Sequence, residues 1–511
     1  MAKISIEYDV IIVGVGIAGL SLALYLAEAN KKHRIVLISK EALDICNTSL
    51  AQGGIAAVTD QQKDNFKKHI KDTFKAGLKT GDLAIIKQVI NAAPACINDL
   101  LNWGVEFDKN GLNFDLHREG GHNQNRILHK SDQTGKEIHQ KLLAAISKHQ
   151  NIEVLEKHTA IDILPQKNKG MLLNCLNEKG LEQFIPAHYI VLATGGSGQI
   201  FAHTTNSSIA TGDGLAMAAR IGAAIQDINY FQFHPTAIYE EGKQQLTLIT
   251  EALRGFGAHI VNEKGERFLF DYDTSGELAN RSVVASAIYA ELKKTNKNCV
   301  YLRLKHLKAE ELSHKFPTVI EQCKKRGINP FKEDIPIIPA AHYQCGGIKV
   351  NIDSETTIPN LFAIGECSRT GLHGSNRLAS NSLLESVFFA KNAAQRIHQR
   401  LTDNANLSQL IELPKTSDSN MLEPLQAEKQ ISFLKLKSEI QNRLSAVYHL
   451  KEMENELEEH EAWLKAQLKK LKVMKQHKSL EFIELKNILE VGLLFIQAKK
   501  NQFKVPESIQ N

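Results

Sequence analysis

The chain has 511 residues, 43% hydrophobic and 23% charged, with a formal net charge of +5. These values are ordinary for a soluble globular protein and leave apolar material for a normal core in about two to four domains. The charge is too small for this length to argue for nucleic acid, and no apolar run approaches the roughly eighteen residues of a membrane helix.

Taken in order, Met1-Ala2-Lys3-Ile4-Ser5 leads straight towards the first strand and leaves no room for a signal peptide. Tyr8-Asp9-Val10-Ile11-Ile12-Val13 reads as a buried parallel strand, Leu20 to Ala27 as a helix and Arg34-Ile35-Val36-Leu37-Ile38 as a second strand. Between the first strand and the helix lies Gly14-Val15-Gly16-Ile17-Ala18-Gly19. A bare G-x-G-x-x-G is a weak signal. Flanked by strands it predicts a βαβ dinucleotide site, with the helix N-terminus offering free N–H groups to a pyrophosphate.

Next comes Asn47-Thr48-Ser49-Leu50-Ala51-Gln52-Gly53-Gly54, whose small residues predict backbone lying close to a ligand. Residues 62–103 and 132–150 read as helices, 104–130 as a polar loop, and 152–192 as short strands ending in Ala193-Thr194-Gly195-Gly196. Asp213 heads a capped helix within 211–224, and a run of strands and loops follows over 225–345. A strand ending in Gly365-Glu366 comes next, and residues 426–500 read as three amphipathic helices. The expected organisation is therefore 1–224 and 346–402 as one dinucleotide-binding domain, 225–345 inserted as a capping domain, 403–424 as linker and 425–511 as a helical domain. The fold class is α/β: a Rossmann-like domain, an inserted α+β cap and a C-terminal three-helix bundle.

The seven cysteines are scattered without a C-x-x-C, which argues against disulfides and against an iron–sulfur cluster, and no metal site is expected. A reducing cytoplasm fits this usage. Polar groups cluster in Gly- and Pro-punctuated stretches read as loops: Gln232 and His234, Thr250, Glu251 and Arg254, Arg281, His342, and His373 to Arg377. Arginine binds carboxylate bidentately and stays charged, so arginines and histidines converging here would suit a small dianion.

The strand–glycine turns at 8–38, 193–196 and 361–366 together resemble the FAD-binding segments of two-dinucleotide-fold flavoproteins. In that resemblance Glu366 would bind the ribitol, and the helix starting at Ser382-Leu383 would point N–H groups at the isoalloxazine. The second strand ends in Ser39-Lys40 with no acid at its tip, so Lys40 is expected to contact the cofactor.

Four longer stretches are more specific: Ala51-Gln52-Gly53-Gly54-Ile55-Ala56, Phe233-His234-Pro235-Thr236, His342-Tyr343-x-Cys345-Gly346-Gly347, and His373-Gly374-x-Asn376-Arg377 continuing through Ala379-Ser380-Asn381-Ser382-Leu383-Leu384-Glu385. They resemble the fumarate reductase, succinate dehydrogenase and L-aspartate oxidase flavoprotein family over about residues 8–400. Its respiratory members tether FAD through a histidine where this chain has Asn47, so the resemblance implies non-covalent FAD. The loop His117-Arg118-Glu119-Gly120-Gly121-His122 resembles the aspartate-oxidising branch.

The implied activity is oxidation of L-aspartate to iminoaspartate, with O2 or fumarate as acceptor, opening the quinolinate route to NAD. His342 and Arg377 would hold the α-carboxylate, His234 and Thr250 the side-chain carboxylate, with Gln232 beside them and Glu119 on the amino group. Arg281 resembles the family's proton donor, with Glu251 and Arg254 as a relay. Quinolinate synthase is the implied partner, with the helical tail as a docking place; neither nucleic acid nor membrane is implied. The alternative is a fumarate reductase or succinate dehydrogenase-type subunit.

Overall fold

The computed structural model describes residues 3–166, 170–403, 410–412, 427–449, 454–473 and 479–504. Its centre is a seven-stranded sheet. The order is Thr159–Pro165, Met171–Leu176, Glu182–Leu192, Tyr8–Val13, Ile35–Ile38 and Ile152–Leu155, with Leu361–Ala363 also paired to Glu182–Leu192.

Glu182–Leu192 is the hinge of this topology. Its first half closes an antiparallel meander with Met171–Leu176, and its second half runs parallel to Tyr8–Val13, Leu192 beside Val13. Leu361–Ala363 lies parallel on its other side, Ala363 beside Leu192. Three neighbouring strands therefore deliver the turns 14–19, 193–196 and 365–366 to one carboxyl edge, which is where ligands bind in open α/β sheets.

The helix Ile17–Ala29 is apolar on all sides because it is covered on all sides, packed between the sheet and the helix Asn381–Asp403. Leu20, Leu22, Leu24 and Leu26 are fully buried, each worth about 1.5–3 kcal/mol of burial. A Cβ on Gly14, whose φ is +119°, would run into the Ala193 carbonyl, and one on Gly19 into the Gly14 carbonyl. The glycines thus let helix and neighbouring turns close on one another.

The cap is a five-stranded sheet in the order Thr247–Leu248, Phe231–Ile238, Ile335–Gln344, Val300–Arg303 and His259–Val261. Residues 225–345 also hold the helices Glu251–Gly255, Arg281–Thr295, Ala309–Lys315 and Pro317–Lys325, where strands and loops were expected. Arg281 and Glu291 occupy buried positions on the longest of them, so charged letters interrupt its apolar period.

The stretch 104–130 is likewise more than a polar loop. It carries four short strands, and Arg126, fully buried, is gripped by Asp64 at 2.6 Å and Asp72 at 2.7 Å. Arg126 thus belongs to a buried ion-pair cluster, which is costly to break from one side.

Three C-terminal helices, Ala427–His449, Glu454–Val473 and Leu480–Lys504, form the expected bundle. It packs on the body through aromatic residues. Tyr448 stacks on Phe233 with ring centroids 4.2 Å apart, and Phe495 meets Phe201 edge-on at 5.5 Å. Most of the expected linker 403–424 lies outside the described residues; Leu410–Glu412 pairs with Lys3–Ser5. Among the described residues no helix is long and apolar enough to cross a membrane, and no cluster is arranged to hold a metal ion.

Candidate active site

At the carboxyl edge of the large sheet, where the cap leans over it, lies a cavity of about 910 Å³. Its floor is the glycine turn, with Gly14, Val15, Gly16, Ile17 and Ala18 on the wall and Gly19 one step behind them. Asn47 through Gly54 form one side, and Glu366, Ser382 and Leu383 another. The Ile17 amide donates to Thr48 Oγ1 at 3.0 Å, tying the helix head to that side.

Lys40 and Asp213 line the far end. Lys40 Nζ is engaged by Asp213 at 2.9 Å and by Glu484 at 2.5 Å, and Asn487 Nδ2 donates to Asp213 at 2.8 Å. The last helix of the tail therefore braces this end of the cavity from behind. Nothing in the sequence pointed to Glu484 or Asn487, because a Glu and an Asn on an amphipathic helix look like solvated positions.

Several orphan polar atoms lie on residues of this wall. Gln52 Oε1, Thr194 Oγ1, Asn206 Oδ1 and Arg377 Nε are buried without a protein partner. Buried polar groups in a folded protein find partners, so a polar ligand belongs here.

Under the cap the polar residues converge as the sequence suggested, though from strands and helix ends rather than loops. His234 lies on Phe231–Ile238 and His342 on the adjacent Ile335–Gln344. Pro235 is tolerated there because the pairing is irregular between His234 and Ala237. The two imidazoles meet edge-on, 5.1 Å between centroids. Thr250 caps Glu251–Gly255, and Arg281 opens Arg281–Thr295.

Glu251 is bridged by two guanidiniums, with Arg281 Nε donating at 2.5 Å and Arg254 Nη2 at 2.8 Å. Gln232 Oε1 accepts from Arg281 Nη1 at 3.1 Å and from Arg377 Nη2 at 3.3 Å, so it aligns both arginines. Arg377 also donates to Ser382 Oγ at 2.7 Å and lies 4.2 Å over the Tyr343 ring. Of the stretch His373 to Arg377 only Arg377 lines the cavity. His373 sits behind it, 2.9 Å from Glu385, which also accepts from Tyr343.

Electrostatics sorts these groups. Burial first, and then neighbouring arginines, hold His234 and His342 well below the usual imidazole range, so both are neutral hydrogen-bonding groups. His342 Nδ1 is 2.8 Å from Thr205 Oγ1, a partner the sequence reading missed. Burial raises the Glu119 carboxyl, but His117, Arg281 and a 2.5 Å bond from Ser380 Oγ outweigh it and bring it down to about 2. Glu119 is therefore ionised. Ser380, with φ at +62°, was legible only as one letter of a longer matching stretch.

A glycine-floored cleft lined by arginines, neutral histidines and the carboxyl groups of Glu119, Glu251 and Glu366 is the site of a cofactor-dependent enzyme. Residues 9–383 match the family described as FAD binding domain. The cradle accepts that group: glycines give backbone access, the orphan polar atoms offer it partners, and the helix head faces the cavity. The protein is an FAD-dependent oxidoreductase.

The chain is 42% identical to the L-aspartate oxidase of Nostoc sp. over 393 residues, 76% of this chain and 67% of that one. It is 38% identical to the L-aspartate oxidase of Acinetobacter baylyi over 507 residues, covering 96% and 90% respectively. Among solved structures it superposes on a mutant FrdA of E. coli quinol fumarate reductase with a TM-score of 0.86 at 29% identity, covering 96% of this chain and 89% of that one. This chain belongs to the L-aspartate oxidase family.

Proposed function

We propose that the protein oxidises L-aspartate to iminoaspartate, with O2 or fumarate as electron acceptor, at the head of the quinolinate route to NAD. The observation that carries this reading is Glu119, an ionised buried carboxylate in the cavity that, unlike Glu251, no guanidinium bridges among the described residues. A site for a plain dicarboxylate has no use for it. A substrate with an ammonium group does.

FAD supplies the two-electron acceptor for the hydride leaving the substrate Cα. The chain's own residues place that hydrogen. Arg377 and His342 hold the α-carboxylate, His234 and Thr250 the side-chain carboxylate, and Glu119 the amino group. Fixing three points of a four-carbon molecule leaves one orientation of its Cα–H bond, and such positioning accounts for much of an enzyme's rate. Gln232 keeps Arg281 and Arg377 apart at a set spacing. Arginine is a weak base, so Arg281 acts first through its charge, steadying the carboxylate. When fumarate is the acceptor, the proton its carbon requires has a path through Arg281, Glu251 and Arg254.

With Asn47 in place of a tethering histidine, the cofactor is held without a covalent bond. Seven free thiols suit a reducing cytoplasm. Quinolinate synthase, which would consume the product, is the partner this reading names.

The test is an anaerobic spectrum of the purified yellow protein. L-aspartate alone is expected to bleach it and succinate to do so poorly. Bleaching by succinate but not by L-aspartate would reverse the assignment in favour of a fumarate reductase-type enzyme.

A further inference from the structure

Behind Glu119 lies a second cavity, of about 1090 Å³, whose wall includes Glu119, His117, His129, Asp108 and Asp115. Glu119 lines both cavities, as do Gln52, Gly53, Thr250 and Glu251, so it is part of the partition between them. The short strand Leu116–His117 pairs with Ile127–Leu128, which brings His129 beside His117 with ring centroids 4.5 Å apart.

The spacing is that of a chain of titratable groups. Glu119 Oε1 is 3.9 Å from His117 Nε2, and His129 Nδ1 is 3.5 Å from Asp108 Oδ2. His129 Nε2 is 3.9 Å from Asp115 Oδ2. Glu119 is 2% exposed at its side chain and Asp115 56%, so the chain runs from the buried site to solvent. His117 Nε2 and His129 Nδ1 are buried and have no hydrogen-bond partner in the protein. Separations of this size are bridged by a water or closed by a small rotation.

We infer that His117 and His129 form a proton exit for the substrate nitrogen, separate from the Arg281–Glu251–Arg254 path. The inference rests on the proposed aspartate oxidation. In that reaction the Cα–H bond breaks and its electron pair leaves as hydride to the oxidised flavin. One N–H bond of the ammonium also breaks, and its pair becomes the second bond of C=NH2+. The released proton passes from Glu119 to His117 and on through His129 to the aspartates and solvent. Reduction of fumarate releases no such proton and does not use this path.

Other groups face the pair. Lys130 lies 3.7 Å from Asp108, and Asp132, His314 and Lys315 look across the second cavity. They lie off the path, and His117 and His129 are relay residues rather than groups touching substrate.

The test separates the two half-reactions of the holoenzyme. His117→Ala is expected to slow anaerobic bleaching by L-aspartate at least about tenfold relative to reoxidation of the reduced enzyme by fumarate. The L-aspartate concentration at half-saturation should hold, the pH profile of bleaching should lose its acidic limb, and added imidazole should restore the rate. His129→Gln is expected to shift the same ratio in the same direction. Unchanged ratios in both variants, or equal loss in both half-reactions without imidazole rescue, would overturn the inference. A native protein that L-aspartate does not bleach would instead overturn the reading it rests on.

Discussion

Glu366 sits in a conflict between burial and its polar neighbours. Burial is the largest influence on it and raises its carboxyl from 4.5 to about 7, against the opposing pull of the Gln344 amide, 3.0 Å away, and of Arg377. Between those two values the unfolded chain has lost a proton that the folded chain keeps. Each step up in pH across that window therefore favours unfolding, and the cost is complete above about 7. One pKa unit is worth about 1.4 kcal/mol, so the full cost is about 3 kcal/mol. Glu366→Gln, stripped of FAD, is expected to gain thermal stability over the native apoprotein at about pH 8 and little at about pH 5. Parallel melting curves at the two pH values check it. At the other end of the same cavity, Glu119→Gln keeps the shape of the side chain and removes its charge. We expect half-saturation by L-aspartate to rise about 10- to 100-fold, as befits a lost charge-assisted contact, with fumarate reduction largely kept. Steady-state kinetics with each substrate distinguishes this from a general loss.

At the scale of elements, the junction between the tail and the cofactor cleft carries its own expectation. Lys40 Nζ is shared by Asp213 and Glu484, and Asn487 holds Asp213 from the same tail helix. Glu484→Ala leaves Lys40 partnered by Asp213 but removes the second carboxylate that positions it. We expect FAD to bind about tenfold more weakly, the worth of one charge-assisted contact, as measured by fluorescence titration of the apoprotein. The βαβ unit was legible because its apolar strands and glycine turn follow a fixed grammar set by steric contact. The cap was less so. Its helix Arg281–Thr295 buries Arg281 and Glu291, and Phe231–Ile238 carries a proline at an irregular pairing; each breaks the period from which elements are read. The site residues Arg281, Glu251 and Arg377 were legible as letters, but their mutual contacts were not, because Gln232 joins residues 49 and 145 positions apart. Thr205 and Glu484 act through geometry alone and left no local mark, and Ser380 showed only as a letter within a longer stretch.

The molecule as a whole is tied together at sites far apart in sequence. The strand Lys3–Ser5 is zipped to Leu410–Glu412, and the tail bundle reaches both the large sheet and the cap through Phe201, Phe233 and Tyr448. Arg220, on the helix that Asp213 begins, bonds both Asp162 of the sheet and Glu490 of the tail, each at 2.5 Å. With so much apolar surface shared, tail and body should not melt separately. We expect flavin release, loss of helix signal and loss of aromatic signal to share one midpoint on heating; two resolved transitions would show the bundle to be an independent unit.

The helix Leu480–Lys504 braces Lys40 and Asp213 from behind the cleft, and it is synthesised after every residue that lines the cavity. A polypeptide still emerging from the ribosome has its glycine turn long before it has Glu484 and Asn487. The tightest capture of the yellow cofactor thus waits until translation has passed Asn487, and a product terminated before Glu484 would hold the flavin more loosely.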